Sequence, residues 1–343
     1  MIFLVLLLAD YWTIDYLPLG RQKLAVAREY VYLLDADERQ VVVIDNGREV
    51  YRFGSRGQGP GELNQPSAID VLGDFVYVVD GNVLHRFDTK GRFIERITSS
   101  VMGAHLRIAD GWIAYSLIEV SNPELKLTRV DDQGIDRPFQ SLVQQPGGGD
   151  RIDLTPCSSW VGVSKDRDLV LVHPAGGFSV SVFDLDGAHI RDISPPWTRV
   201  PFDSVWGREV YKREVDERKR AYQQMGIPYK PTDAFEPDSF PLIKRVFTDY
   251  RGRLVMVPWR INPGEPTFAV FNTNGEIVSD KLTPNQLTRI MGEIDNQMVV
   301  TIYDVAEEIA GLAWVPADSV GGYLDEHPIE FQYDVAKHYR GRY

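Results

Sequence analysis

Residues 53–97 read FGSRGQGPGELNQPSAIDVLGDFVYVVDGNVLHRFDTKGRFIERI. A Gly/Pro-rich turn at 54–61 leads to Pro66, and short apolar runs follow at 68–71, 75–79 and 83–87. The second run ends on Asp80 and the third on Asp88. Gly73-Asp74 divides the first two, and Thr89-Lys90-Gly91 divides the third from a fourth run at 92–97. Runs this short, rich in Val, Ile, Phe and Tyr and separated by Gly and Asp, are strands joined by tight turns. Four in succession make one blade of a β-propeller.

The pattern repeats in both directions. Upstream, runs at 24–27, 30–35, 40–45 and 49–53 form a first blade, with Asn46-Gly47 as a hairpin signal. It is in phase with the second: Tyr32-Leu33-Leu34-Asp35 aligns with Tyr77-Val78-Val79-Asp80, and Val43-Ile44-Asp45 with Arg86-Phe87-Asp88. Downstream, blade three is read over 105–134, blade four over 160–193, and blade five over 246–278. Blade six has strands at 290–293, 298–302 and 310–315 but no fourth. The run from Trp12 to Leu17 is expected to supply it, closing the ring and removing exposed sheet edges.

Residues 194–239 break the repeat. They hold six prolines around a charged stretch, Asp203 to Met225, that reads as a helix capped by Asp203 or Ser204 and stopped by Gly226. Its Glu, Lys and Arg side chains are spaced for i,i+4 pairing on a solvated face. The expected fold is therefore all-β: a six-bladed β-propeller over 10–315, with a helical insertion (194–239) between blades four and five. Residues 316–343 have no clear period and read as a C-terminal tail packed on the propeller. Residues 1–9, with seven unbroken bulky apolar side chains from Ile2 to Leu8, read as a signal-peptide h-region whose start is clipped. An apolar propeller strand is the competing reading. The first reading places the protein outside the cytoplasm: periplasm, envelope or secreted.

Composition excludes more than it suggests. The 343 residues are 43% hydrophobic and 25% charged, which is ordinary for a globular chain, and the net charge is −12. An acidic surface disfavours nucleic acid and anionic membranes. Cys157 is the only cysteine, so there is no intrachain disulfide and no Cys-based metal site.

The run Gly54-Ser55-Arg56-Gly57-Gln58-Gly59-Pro60-Gly61-Glu62-Leu63, followed by Pro66 and by the Tyr-Val-Val-Asp and Phe-Asp-x-x-Gly strands, resembles the NHL repeat. Asp-x-x-Gly recurs at 184–187 and, with Asn272, at 272–275. The layout is similar to that of uncharacterised bacterial six-bladed β-propeller proteins of the cell envelope, which carry the GxGPGE turn once and a helical insertion after the fourth blade. This resemblance implies the fold and little about activity, because one scaffold hosts unrelated functions. Tyr11-Trp12-Thr13-Ile14-Asp15 looks like the YWTD signature of receptor propellers, but it occurs once and with an inserted Ile.

A propeller concentrates ligands at the mouth of its channel, near the starts of the innermost strands. Alignment of the blades places Gln22, Ser67, His105, Ser159, Lys244, Arg245 and Arg289 there. Loops after the second strands add His173, Trp259, Arg260 and Tyr303. The ligand-binding candidates are thus His105, Arg107, His173, Lys244, Arg245, Trp259, Arg260, Arg289 and Tyr303. Convergent basic groups in an acidic chain suit an anionic ligand, such as a carboxylate or acidic sugar. The competing reading pairs these cations with loop carboxylates. A three-histidine zinc site, as in the NHL-like peptide-amidating lyases, is short of ligands here: His105 alone sits at an inner-strand start, and His85 lies on a third strand. Asp70, Glu293 and Asp295 leave a channel calcium open, as in six-bladed lactonases. The glycines at 54–61 lack Gly-Lys-Ser/Thr and precede a strand, which excludes a phosphate loop. The expectation is a monomeric, noncatalytic binder of a protein, peptide or glycan, without a metal or other cofactor. A metal-dependent hydrolase or lyase acting on a small anionic substrate is the alternative.

Overall fold

The computed structural model describes residues 10–14, 24–81, 83–98, 107–109, 112–118, 125–130, 136–142, 152–155, 160–164, 169–173, 178–184, 188–231, 233–304 and 309–327. The described chain is mostly β. In order, its strands are β1 (Asp10–Ile14), β2 (Leu24–Ala27), β3 (Tyr30–Asp35), β4 (Gln40–Asp45), β5 (Arg48–Phe53), β6 (Pro66–Leu72), β7 (Phe75–Asp80), β8 (Val83–Asp88) and β9 (Phe93–Thr98). Next come β10 (Arg107–Ala109), β11 (Trp112–Ile118), β12 (Leu125–Val130), β13 (Asp136–Leu142), β14 (Ile152–Asp153), β15 (Trp160–Ser164), β16 (Leu169–His173), β17 (Val180–Asp184) and β18 (His189–Ile193). A helix, Ser204–Gln224, precedes β19 (Ala234–Phe235), β20 (Ile243–Thr248), β21 (Leu254–Pro258), β22 (Ala269–Phe271) and β23 (Ile277–Val278). The last elements are a short helix (Pro284–Arg289), β24 (Ile290–Ile294), β25 (Gln297–Asp304), β26 (Ile309–Pro316) and a final helix, Val320–Glu326.

Consecutive strands pair antiparallel into four-stranded sheets: β2–β5, β6–β9, β10–β13, β15–β18 and β20–β23. A further sheet has the order β1-β26-β25-β24, so the N-terminal strand completes the sheet of the last three. Asp10 lies opposite Trp314 and Ile14 opposite Ala310, slightly earlier than the expected Trp12 to Leu17. Among the described strands β14 pairs with β19 in a two-stranded parallel ladder.

The described chain divides into two compact units, one of residues up to Arg96 and from Lys281 on, the other of residues 97–280. In the first unit, β3 and β4 read as unbroken apolar runs because both faces of their sheet are covered. Tyr32, Leu34, Val41 and Val43 pack with Ile69, Val76, Val78 and Phe87 of the β6–β9 sheet. The alternate residues Val31, Leu33, Val42 and Ile44 pack with Val299, Leu312 and Trp314 of the β24–β26 sheet. Strand periodicity of two sends neighbours to opposite faces, so a sheet between two others needs apolar side chains at every position. First strands approach most closely: β24, β2 and β6 touch in turn, and a Cβ on Gly292 would fall 2.5 Å from Val26. In the second unit, the β15–β18 and β20–β23 sheets enclose Leu171, Val180, Val182, Ile193, Val246, Met256 and Phe271, and β15 touches β20.

The recurring Asp-x-x-Gly is a turn device. Asp88 Oδ1 accepts from the backbone N–H groups of Lys90 (3.0 Å) and Arg92 (2.8 Å), while Gly91 N–H donates to the Asp88 carbonyl (2.9 Å). Asn272 does the same for Asn274, Glu276 and Gly275, and Asp184 Oδ1 accepts from Ala188. Asp249 repeats it between β20 and β21, with Arg251, Arg253 and Gly252. A short acceptor at the first position satisfies N–H groups that the turn takes out of the ladder, and glycine at the fourth supplies positive φ.

The Gly-rich run at 54–61 is a clasp. Leu63 N–H donates to the Ser55 carbonyl (2.7 Å), Gly57 N–H to that of Leu63 (3.1 Å), and Gly59 N–H to Glu62 Oε2 (2.7 Å). The clasp seats Leu63 in the core. Asp80 then accepts from the N–H groups of Asn64 (2.8 Å) and Gln65. Behind it, His85 is buried, with Nε2 3.6 Å from Asp80 Oδ2 and Nδ1 without a hydrogen-bond partner. Burial lowers the His85 pKa, partly opposed by Asp80 and assisted by Arg96.

Residues beyond β26 start with the helix Val320–Glu326, where sequence alone indicates no element. Val320 and Leu324 are buried, and Gln286 Nε2 donates to Asp325 Oδ1 (2.6 Å). Residues 1–9, His105, Cys157, Ser159 and Gln22 lie outside the described residues.

Candidate functional site

Behind β18 the chain is tied to the loop that follows β21. Trp197 Nε1 donates to the Pro266 carbonyl (2.6 Å), and Thr198 donates through N–H (2.9 Å) and Oγ1 (2.6 Å) to Glu265. Asn262 N–H donates to the same carboxylate (2.8 Å). These donors, the Thr198 hydroxyl foremost, hold the Glu265 carboxyl at about 2. Next, two short segments run antiparallel, with Phe240 N–H on the Val200 carbonyl (2.9 Å) and Phe202 N–H on that of Asp238 (3.2 Å). This pairing brings the rings of Phe202 and Phe240 to 5.2 Å.

Asp203 caps the helix, its Oδ1 accepting from the N–H groups of Val205 (2.9 Å) and Trp206 (3.1 Å). The first turn thereby sets Trp206 against Phe202 (6.0 Å) and Phe240 (5.2 Å). Gly207 follows because a Cβ there would stand 2.7 Å from the Phe202 ring. The helix is anchored through Trp206, Val210, Tyr211 and Val215 on Leu154 and Ala234, and near its end the Tyr222 ring meets Tyr229 (5.2 Å). No ion pair runs along it among the described residues, although its sequence spacing suits several.

The β20–β21 hairpin supplies the rest. Ile243 faces Pro258 and Arg245 faces Val257, so Lys244 is the extra residue of a bulge. A bulge turns successive side chains outward, and Lys244 and Arg245 are both exposed. The same irregularity lies one residue into β6, at Ser67, and into β24, at Met291. Trp259, just past β21, meets Trp206 edge-on at 6.2 Å. Lys244 Nζ lies 5.0 Å over the Trp259 ring, and the Arg260 guanidinium lies over Trp206 (5.6 Å) and Phe240 (5.4 Å). Arg245 lies 5.2 Å over Phe247, and desolvation of its head group lowers its pKa, which leaves an arginine charged at neutral pH. Cation–ring contacts of this kind are worth about 0.5–1 kcal/mol when exposed.

Three expected site residues thus fall together through Trp206, namely Lys244, Trp259 and Arg260, while Arg245, next to Lys244 on β20, lies over Phe247. Among the described residues, none of the three cations has a carboxylate within 4 Å or donates to a protein group, unlike Arg253, which spans Asp249 and Asp280. Pairing with the described loop carboxylates therefore does not account for them. Arg289 behaves differently. It is buried, donating to the carbonyls of Thr301 (3.2 and 3.0 Å), Leu324 (3.3 Å) and His327 (2.6 Å), and burial lowers it to about 10. Its donors are spent on the fold, so it is corrected from ligand contact to structural pin. Arg107 opens β10, His173 closes β16 and Tyr303 sits near the end of β25; His105 lies outside the described residues. Asp70 is buried with Oδ1 on Val71 N–H (2.9 Å), and Asp295 is in the β24–β25 turn. They form no cluster of three metal-ligating groups with Glu293 among the described residues. Trp206, Phe202 and Phe240 were not legible as site residues. The available signal was the i,i+4 spacing of Phe202 and Trp206 across a predicted helix start.

No family model matches the chain, and no curated protein matches it. Among solved structures, a member of the DUF4221 family from Bacteroides vulgatus is 13% identical, covers 89% of this chain and 98% of its own, and has a TM-score of 0.45. The Pan2 WD40 domain of Neurospora crassa is 9% identical over 86% of this chain and 75% of its own, with a TM-score of 0.41. A nidogen/laminin complex gives 12% identity, 75% and 78% coverage and a TM-score of 0.39. At this degree of likeness, architecture and activity have to be argued from the chain itself.

Proposed function

We propose that the protein is a six-bladed β-propeller, with the segment between β18 and β20 as a helical insertion, that binds a protein, peptide or glycan ligand without catalysing a reaction. Two features support the architecture. Neighbouring sheets within each unit approach most closely at their first strands, as blades do around an axis, and β1 completes the sheet of β24–β26. The binding site in this reading is the cationic–aromatic cluster at the start of the fifth blade. The observation that carries it is that Lys244, Arg245 and Arg260 are exposed, held on ring faces, and unpaired by carboxylates among the described residues of a chain with net charge −12. Such cations complement an anionic ligand.

Surface plasmon resonance against immobilised poly-L-glutamate, polygalacturonate and heparin tests the reading. At least one probe binds, more weakly as salt rises, and the double variant Arg245→Ala/Arg260→Ala loses binding with an unchanged melting temperature. Failure of all three probes, or binding untouched by the double variant, removes the site from this cluster.

A further inference from the structure

The cluster's geometry points to the kind of anion it takes. We propose that its ligand is an acidic peptide segment of a partner protein, whose Asp and Glu carboxylates bind Arg260, Arg245 and Lys244. This rests on the reading that the cluster is a binding site at all.

Three observations favour a peptide over a sugar. Carbohydrates are commonly gripped by stacking on open aromatic faces, and here those faces are taken. Arg260 covers Trp206 and Phe240, Lys244 covers Trp259, and the rings meet one another edge-on. Phe240 is only 2% exposed. The rings therefore act as platforms for the cations. A guanidinium lying on a ring uses its face and keeps the N–H fork at its edge, which matches the two oxygens of a carboxylate. Arg260 donates to no protein group among the described residues, so that fork is uncommitted.

Second, the bulge at Lys244 sets two cations at successive positions on the exposed side of β20. With Arg260 they form a multivalent array suited to several carboxylates carried on one chain. Third, exposed apolar side chains adjoin the cluster's residues in sequence. Val205, beside Trp206 in sequence, is 58% exposed, and Ile261, beside Arg260, is 37% exposed. Apolar side chains at a cationic site match the mixed side chains of a peptide better than a uniformly hydroxylated sugar.

Isothermal titration calorimetry of the full chain with capped hexaglutamate, capped hexaglutamine and hexagalacturonate tests the proposal. Hexaglutamate is expected to bind saturably and hexaglutamine not at all. Arg260→Gln weakens the peptide roughly 10- to 100-fold, the scale of a lost charge-assisted bidentate contact. Arg260→Lys, which keeps the charge but not the fork, recovers only part of that loss. Arg208→Gln, on an exposed helix position, leaves binding unchanged and reports on general charge effects. Binding of hexagalacturonate in place of hexaglutamate overturns the peptide assignment and leaves the site standing. Binding of neither removes both, and hexaglutamate binding equally well to Arg260→Gln and to Lys244→Gln/Arg245→Gln moves the peptide elsewhere.

Discussion

Replacing Gly91 with alanine tests the turn device that repeats through the chain. Gly91 sits at φ +79°, where an L side chain costs about 1–2 kcal/mol. The new Cβ would also stand 2.7 Å from Cβ and Cγ of Phe53. Phe53 has little room to yield: it is 8% exposed, and its ring centroid is 4.9 Å from that of Phe87. Overpacking of this kind costs about 1–3 kcal/mol. Gly91→Ala should therefore lose about 2–5 kcal/mol. Gly73→Ala is the matched control, because Gly73 has φ +57° with nothing within 4 Å of the added Cβ, and it should lose only about 1–2 kcal/mol. Urea unfolding followed by circular dichroism gives both values from shifts in midpoint. The double variant Phe53→Ala/Gly91→Ala should be less destabilised than the sum of its singles, since alanine removes the Cγ and Cδ1 that meet the new Cβ. A Gly91→Ala protein no less stable than Gly73→Ala would refute the close-approach account of that glycine.

Other positions give independent expectations. His85 is buried with a lowered pKa, so the unfolded chain takes up a proton more readily than the folded one; stability is then lost as pH falls below about 6.5, and His85→Phe should flatten urea midpoints between about pH 5 and 7. Identical pH profiles for the two proteins would exclude His85 as the source. Asp249→Ala removes the acceptor for Arg251 and Arg253 N–H groups and one of the two carboxylates on Arg253; a loss of about 2–4 kcal/mol is expected, measured by chemical denaturation. Arg289→Met leaves the carbonyls of Thr301, Leu324 and His327 without that donor, and should cost about 2–4 kcal/mol while hexaglutamate binding by the still-folded variant is unchanged. Weakened binding with unaltered stability would instead restore Arg289 to the ligand site.

Strand phase was legible because it is written in local chemistry. Alternation, Gly at turn positions and Asp at strand ends recur from sheet to sheet, and at Asp88–Gly91, Asp249–Gly252 and Asn272–Gly275 the structure gives the turn residues hydrogen-bond partners. The long helix was legible for the same reason: Asp203 caps it, and Gly226, at φ +70°, follows its end. The short helix Val320–Glu326 was not, since Gly321 and Gly322 give it poor intrinsic propensity and it is held by packing on Gln286 and Arg289. The site divides along the same line. Lys244, Trp259 and Arg260 could be put forward from sequence because strand ends can be counted. Arg289 satisfied the same count, yet its partners include carbonyls of a later helix that no local pattern announces. Trp206 and Phe240 were not singled out because the stretch from 194 to 240 has no period from which to read a facing direction. The Lys244 bulge was hidden for a related reason: one extra residue in a ladder shows only against its partner strand.

The ladder between β1 and β26 joins the first described strand to one of the last. During synthesis, Asp10–Ile14 must wait unpaired until Ile309–Pro316 has left the ribosome. The entropic cost of so long a loop grows only slowly with its length, but the contact is among the most distant in the chain and so belongs late in folding. Until then the open edges of both strands are available to a second nascent chain. High expression at elevated temperature should therefore favour strand-exchanged oligomers, and a substitution in Asp10–Ile14 acts on this late pairing rather than on an independent segment.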